Sequence, residues 1–107
     1  MDYSSPKVRI WQVVSLVPAG SVVTYGQIAH MAGLPHHARM VGSVLKQLPP
    51  DSSIPWHRVI NCQGRISFPQ GSPQYLRQQE RLLAEGIEFM AERISLQQFQ
   101  WQGGFES

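Results

Sequence analysis

The sequence predicts a small α+β domain, and three observations carry that prediction. Apolar residues recur at helical spacing in several separately capped stretches. Two of these stretches are short and joined by a tight turn, and brief β-branched runs lie between the third stretch and the last.

Ser5-Pro6 opens the first helix, with a capping side chain followed by proline at the first helical position. Ile10, Val13, Val14 and Val17 then repeat at helical spacing until Pro18-Ala19-Gly20 stops the run. Val22 and Val23 make a short extended link. Thr24 and Gln27 stand three apart ahead of Ile28, Ala29 and Met31, the pattern of a capping box. Gly33 closes this second helix and Leu34-Pro35 turns the chain. A third helix is expected from His37 to Gln47, with Met40, Val41, Val44, Leu45 and Leu48 facing inward. Short helix, tight turn, helix is the helix-turn-helix pattern.

Pro49-Pro50 ends that helix, and Asp51-Ser52-Ser53 forms a loop. Ile54 to Ile60 reads as a strand, Gln63-Gly64 as a turn, and Arg65 to Phe68 as a second strand, together a short β-hairpin. On such a strand Trp56 and Arg58 would face one way, His57 and Val59 the other. A final helix is expected from Ser72-Pro73 to about Glu85, with Tyr75, Leu76, Gln79, Leu82 and Leu83 supplying its faces and Gly86 ending it. Residues 90–107 are expected as a tail that packs one or two aromatics and then frays. No repeat and no internal boundary interrupts residues 1–107, so one winged-helix-like α+β domain is expected, with its core at about residues 6–89.

Composition narrows the function. The 107 residues are 42% hydrophobic and 15% charged, enough for a single modest core. Residues 1–60 hold Lys7, Arg9, Arg39, Lys46 and Arg58 against Asp2 and Asp51, a net +3, whereas residues 61–107 balance at −1. The basic half, which also holds His30, His36, His37 and His57, suggests a polyanionic partner. A single cysteine, Cys62, excludes an internal disulfide, and no Cys/His spacing makes a zinc site. Neither phosphate-cradling glycine pattern occurs, so no cofactor is expected. With no basic and apolar leader and no apolar run of roughly 20 residues, a soluble, cytoplasmic chain without a membrane partner is expected.

Two groups of residues could carry a function. Arg39, Gly42, Ser43 and Lys46 form a small and basic stripe on the third helix. It reads either as a solvated face or as a nucleic-acid contact. Glycine inside a helix costs around 1 kcal/mol relative to alanine, a cost that close approach of a ligand or tight helix packing would equally explain. The second group is Pro55-Trp56-His57-Arg58-Val59-Ile60. Trp56 reads either as a core residue or as the wall of a site, and a core-facing His57 would need a partner, for which Glu80 is the expected residue.

Four blocks now stand in order: Val23-Thr24-Tyr25-Gly26-Gln27-Ile28-Ala29, Ala38-Arg39-Met40-Val41-Gly42, Ile54-Pro55-Trp56-His57-Arg58-Val59-Ile60 and Glu80-Arg81-Leu82-Leu83-Ala84-Glu85-Gly86. Together, from about Pro6 to Phe89, they resemble the DNA-binding domain of the O6-alkylguanine-DNA alkyltransferases. The family's motif reads Pro-Cys-His-Arg, and its cysteine accepts the alkyl group. Trp56 at that position resembles the alkyltransferase-like branch. An indole carries one N–H donor and no nucleophilic lone pair, so the relay implied by the resemblance, His57 and Glu80, has nothing to activate. Cys62, about 20 Å along an extended strand from Trp56, is out of reach.

The resemblance implies a monomeric, non-enzymatic sensor. It would bind O6-alkylguanine in duplex DNA through a recognition helix in the minor groove, flip the nucleotide, and flag it to nucleotide excision repair proteins. Arg39 would fill the gap left by the flipped nucleotide and Tyr25 would help rotate its phosphate. Ala38, Gly42 and Ser43 would complete the DNA contact, because a groove about 6 Å wide admits only short side chains along the helix, and the basic Lys46 would add to it. Tyr25, Trp56 and Arg58 would line the lesion pocket. Two departures stand out: Leu48 occupies the place of the enzymes' asparagine hinge, and the pocket loop Phe68-Pro69-Gln70 lacks an arginine, Arg65 being the nearest cation. The alternative is a winged-helix regulator of undamaged DNA, which would normally dimerise on paired half-sites.

Overall fold

The periodic stretches fold as helices, and a computed structural model describes residues 5–103. The elements run α1 (Pro6–Ser15), β1 (Val23–Thr24), α2 (Tyr25–Met31), α3 (Ala38–Lys46), a 3₁₀ turn (Trp56–Arg58), β2 (Val59–Ile60), α4 (Pro73–Ala84), β3 (Phe89–Met90), β4 (Arg93–Ile94) and α5 (Leu96–Phe99). Pro6 starts α1 unaided, since the Ser5 side chain makes no cap. Thr24 caps α2 by accepting the Gln27 N–H at 3.1 Å. The reciprocal half of the expected capping box is missing, because the Gln27 side chain is engaged elsewhere (below). Between α2 and α3 the turn is held by Leu34 N–H to the Ala29 carbonyl, 2.8 Å, and His37 N–H to the Leu34 carbonyl, 3.1 Å. Ile10, Val14, Ile28, Val41 and Val44 bury the facing sides of α1, α2 and α3 in a common core.

The expected hairpin at residues 54–68 does not form. Only Val59 and Ile60 are extended, and they pair in parallel with β1, Val23 opposite Val59 and Thr24 opposite Ile60. Alternation across this ladder feeds two cores: Val23 and Val59 join the helical core, while Val22 and Ile60 meet Tyr75, Leu82, Ile87 and Ile94 on the other side. After Ile60 the Asn61 carboxamide oxygen accepts the N–H groups of Gln63 and Arg65 at 2.9 and 3.0 Å. This local turn satisfies the backbone that a second strand would have paired. Gly64 is required there: its φ is +80°, and a Cβ would run into the Ile94 carbonyl oxygen. The hairpin lies later, as antiparallel β3–β4 with Phe89 opposite Ile94 and Met90 opposite Arg93. Its turn residues, Ala91 and Glu92, both have positive φ, 51° and 65°, the backbone of a type I′ turn without the usual glycine or asparagine.

The tail packs two aromatics, Phe99 and Trp101, as expected, and the fraying expected after them falls on residues outside the described range. Val22 N–H donates to the Phe99 carbonyl at 2.9 Å, Trp101 N–H donates to the Val22 carbonyl at 2.8 Å, and the Trp101 ring packs on the helical core. Gln27 secures it from α2: its Nε2 donates to the Trp101 carbonyl and its Oε1 accepts from Gln100 Nε2, both at 2.8 Å. Residues 1–4 and 104–107 lie outside the described residues.

Candidate nucleic-acid interface

Helix α3 turns Val41, Val44 and Leu45 inward, which leaves the opposite stripe on the surface. Tyr25, Ala38, Arg39, Gly42, Ser43 and Lys46 line one shallow groove with Ser67, about 340 Å³ in volume. Arg39, Ser43 and Lys46 are exposed, Ala38, Gly42 and Tyr25 half-buried. Packing does not require the glycine. A Cβ at Gly42 would meet only the Tyr25 ring at 3.8 Å, an ordinary contact. The flat stripe therefore leaves room for a ligand rather than for a neighbouring helix. Burial raises the Tyr25 phenol above its ordinary pKa, a hydrogen bond with Ser67 offsetting part of the rise. The hydroxyl thus remains protonated at neutral pH, able to donate to a phosphate oxygen.

A cavity of about 130 Å³ opens beside this groove, between Tyr25, Gly42, Leu45, Trp56, Phe68 and Gln78. Trp56 forms one wall. Its indole N–H donates to the Pro50 carbonyl at 3.3 Å, and the Arg81 guanidinium lies 5.4 Å from the ring centroid, in cation–π range. Beneath it, the buried Gln78 carboxamide donates to the carbonyls of His57 and Val59 at 2.9 and 3.0 Å. The 3₁₀ turn is thereby pinned to α4 through its backbone. Sequence reasoning missed Gln78, although it falls three after Tyr75 and four before Leu82, on the buried stripe of α4.

The 3₁₀ turn also replaces the alternation expected of a strand. Trp56 faces the cavity, and His57 and Arg58 both reach Glu85. His57 Nε2 lies 2.9 Å from Glu85 Oε2, and Arg58 donates through Nε to Oε1 at 2.9 Å and through Nη2 to Oε2 at 2.6 Å. Arg58 Nη1 also donates to the Val17 carbonyl at 2.6 Å. Arg58 is thus a structural cation tying the 3₁₀ turn to the segment after α1 and to the C-terminal cap of α4, not a lining residue of the cavity. The partner of His57 is Glu85, not Glu80. Glu80 is on the exposed side of α4, whereas Glu85, at the C-terminal cap, turns back towards the 3₁₀ turn. Burial alone would raise the Glu85 carboxyl, but the hydrogen bonds from Arg58 and His57 overcome it and hold the group at about 2. Burial lowers the His57 pKa against the pull of Glu85. The imidazole is therefore neutral near pH 7, donating from Nε2, with Nδ1 buried and unpartnered among the described residues.

This relay faces no thiol. Cys62 is exposed and lines a separate cavity of about 520 Å³ with Met90, Ile94 and Phe99, sharing no lining residue with the cavity at Trp56. Of the loop Phe68-Pro69-Gln70, Phe68 and Pro69 line the Trp56 cavity, while Gln70 bonds to Glu92 on the β3–β4 turn. Arg65 does not line it, and its charge acts on Tyr75 in the second core. Leu48 packs on the helical core, as expected from its place on the apolar stripe of the third helix.

Comparison with known proteins places these features in context. Residues 5–87 match the family model for the 6-O-methylguanine DNA methyltransferase DNA binding domain. The chain is 48% identical over 94 residues to the DNA base-flipping protein of Escherichia coli (strain K12), covering 87% of this chain and 71% of that protein. It is 38% identical over 99 residues to alkyltransferase-like protein 1 of Schizosaccharomyces pombe, covering 88% and 92%. In three dimensions it resembles S. pombe Atl1 in complex with damaged DNA containing O6-carboxymethylguanine. The TM-score is 0.81 at 37% identity, over 94% of this chain and 98% of that one.

Proposed function

Since this chain belongs to the family of the 6-O-methylguanine DNA methyltransferase DNA-binding domain, we propose that it is a lesion sensor, binding O6-alkylguanine in duplex DNA without transferring the alkyl group. One observation carries this reading. The cavity beside the recognition-helix groove is walled by the indole of Trp56 and bounded by the buried Gln78, with no thiol in the lining. An indole cannot attack an alkyl carbon, but it presents a flat surface on which an extruded base can stack. Such stacking is worth about 1–3 kcal/mol per base. Extrusion itself costs a few kcal/mol, less where alkylation has weakened the pair.

The parts divide accordingly. Arg39 projects from the first turn of α3 to fill the gap in the duplex, and the Tyr25 hydroxyl orients the displaced phosphate. Ala38, Gly42 and Ser43 let the helix seat in the minor groove, while Lys46 neutralises phosphate. Trp56, with Tyr25, receives the base. A complex that holds a lesion without altering it leaves removal to another machine, and nucleotide excision repair, which cuts out whole oligonucleotides, is the fitting recipient. The relatives named for base flipping and for binding damaged DNA support this reading. One lesion is one site, so a single copy suffices.

The test is a fluorescence titration of matched duplexes with and without one O6-methylguanine, with mass spectrometry of the protein afterwards. A monomer should prefer the alkylated duplex irrespective of flanking sequence, with no gain of an alkyl group in mass. Equal affinity for both duplexes, or binding restricted to one undamaged sequence, would favour a regulator of intact DNA. A protein heavier by one alkyl group would refute the absence of transfer.

A further inference from the structure

A second recess, of about 360 Å³, lies beyond Trp56 from the groove and shares Leu45, Lys46, Trp56 and Phe68 with the smaller cavity. Its remaining walls are Leu48, Pro50, Gln74 and Arg77. The indole is one of four side chains that the two spaces share, held by its bond to Pro50 and by Arg81 against its ring. The far recess has apolar walls, two cations in Lys46 and Arg77, and no carboxylate among its lining residues. Glu80 borders Arg77 only in the shallow depression on the outer side of α4. A space that adjoins a base-binding cavity and combines apolar walls with two cations and no lining carboxylate suits an extended substituent ending in an anion.

We propose that this recess is a substituent subsite in which Arg77 selects O6-alkyl groups carrying a terminal negative charge over neutral groups of the same length. The proposal rests on the lesion-sensor reading and adds to it a charge preference and a residue, Arg77, outside the DNA-contacting helix. The attraction acts at a half-open site where solvent screens it. An exposed pair is worth up to about 1 kcal/mol, roughly a fivefold change in affinity.

The experiment compares three duplexes differing only at one guanine: O6-methyl, O6-carboxypropyl, and the O6-carboxypropyl amide, which keeps the length and removes the charge. The full chain should bind the acid about three- to fivefold tighter than the amide. Arg77→Gln should bring that ratio near one and leave affinity for the O6-methylguanine duplex unchanged. Lys7→Gln removes an equal charge from α1 and should leave the ratio intact. Equal affinity for acid and amide in the unmodified chain would overturn the subsite. So would an equal fall of the ratio in Arg77→Gln and Lys7→Gln, which would trace the preference to net charge. A chain that does not distinguish O6-methylguanine from guanine would overturn the sensor reading and the subsite with it, whereas retained methyl preference with no charge preference would overturn the subsite alone.

Discussion

Trp56 is half in a core and half in a site: it packs against the helical core and also walls the cavity. A fully buried tryptophan truncated to alanine costs about 3–5 kcal/mol. For Trp56→Ala, which leaves the Gln78 anchors of the turn in place, a loss nearer 1–2 kcal/mol is expected on that scale. The variant should remain folded in a thermal melt and keep its affinity for undamaged duplex, while its preference for O6-methylguanine shrinks. A collapsed melting temperature with unaltered preference in the folded fraction would return the residue to the core. At Gly42 the choice lies between helix packing and the approach of a ligand, which spacing alone does not separate. Since a Cβ there meets only the Tyr25 ring at ordinary distance, Gly42→Ala should stabilise α3 by up to about 1 kcal/mol. The same methyl narrows the groove, so binding to both duplexes should weaken. A more stable protein with unchanged affinity would show that no ligand backbone approaches α3 at this position. Arg39, Gly42, Ser43 and Trp56 were legible as candidates because small, basic and aromatic residues stood where helix and strand patterns usually carry something else. Gln78 and Glu85 were not, because a glutamine bonded to backbone carbonyls and a carboxylate at a helix cap look like surface residues in a linear pattern.

At the level of elements, what could be read and what could not divides by the range of the interactions. Helices α1 to α4 follow from periodicity, from terminating glycine or proline and, for α2 and α4, from the capping side chains of Thr24 and Ser72, all local signals. The parallel pairing of β1 with β2 joins residues about 36 apart through two residue pairs, too few for alternation to register. The β3–β4 turn uses Ala91 and Glu92 in place of a glycine signal. The 3₁₀ turn was misread as strand because Val59 and Ile60 are β-branched, although the bonds that fix Trp56 to Arg58 come from Gln78 and Glu85. That dependence has a pH consequence. The Glu85 carboxyl sits at about 2 in the fold, against an ordinary value of 4.5. The unfolded chain therefore takes up its proton first, and the stability present above pH 4.5 is lost as the pH falls towards 2. His57 is lowered from 6.5, so its protonation also favours the unfolded chain once the pH drops below that value. Both groups act in the same direction: urea midpoints should fall progressively below about pH 6.5. Glu85→Gln should be less stable at pH 7, because Arg58 then lies beside the Val17 carbonyl without its carboxylate, and should show a flatter decline between pH 4.5 and 2. An equally steep decline in that variant would assign the acid sensitivity to other carboxylates.

Across the whole molecule, the small charge excess and its placement determine how DNA binding should respond to salt. The net charge is +2, yet the cations cluster in residues 1–60, where the groove holds two permanent ones, Arg39 and Lys46. Each phosphate neutralised on B-DNA contributes about −0.9 to the slope of log K against log salt, so a slope between about −1 (Lys46 alone) and about −2 (Arg39 as well) is expected for undamaged duplex. That is shallow for a DNA-binding protein. The molecule therefore has little electrostatic affinity to spare, and discrimination has to come from the cavity rather than from the phosphates. Stacking a flipped base on Trp56 adds an uncharged contact and releases no further counterions. The ratio of affinities for O6-methylguanine and guanine duplexes should consequently stay constant between ~50 and ~200 mM salt while both affinities fall together. Arg39→Ala should weaken both by on the order of 1–3 kcal/mol. Its slope should become shallower by about one only if the guanidinium also touches phosphate. If Arg39 acts solely by filling the gap in the base stack, affinity drops and the slope does not move. Titrations of the two duplexes at several salt concentrations, for the unmodified chain and for Arg39→Ala, separate these cases. A lesion preference that decays as salt rises would mean that the damaged duplex is recognised through additional phosphate contacts, and the stacking role of Trp56 would fail with it.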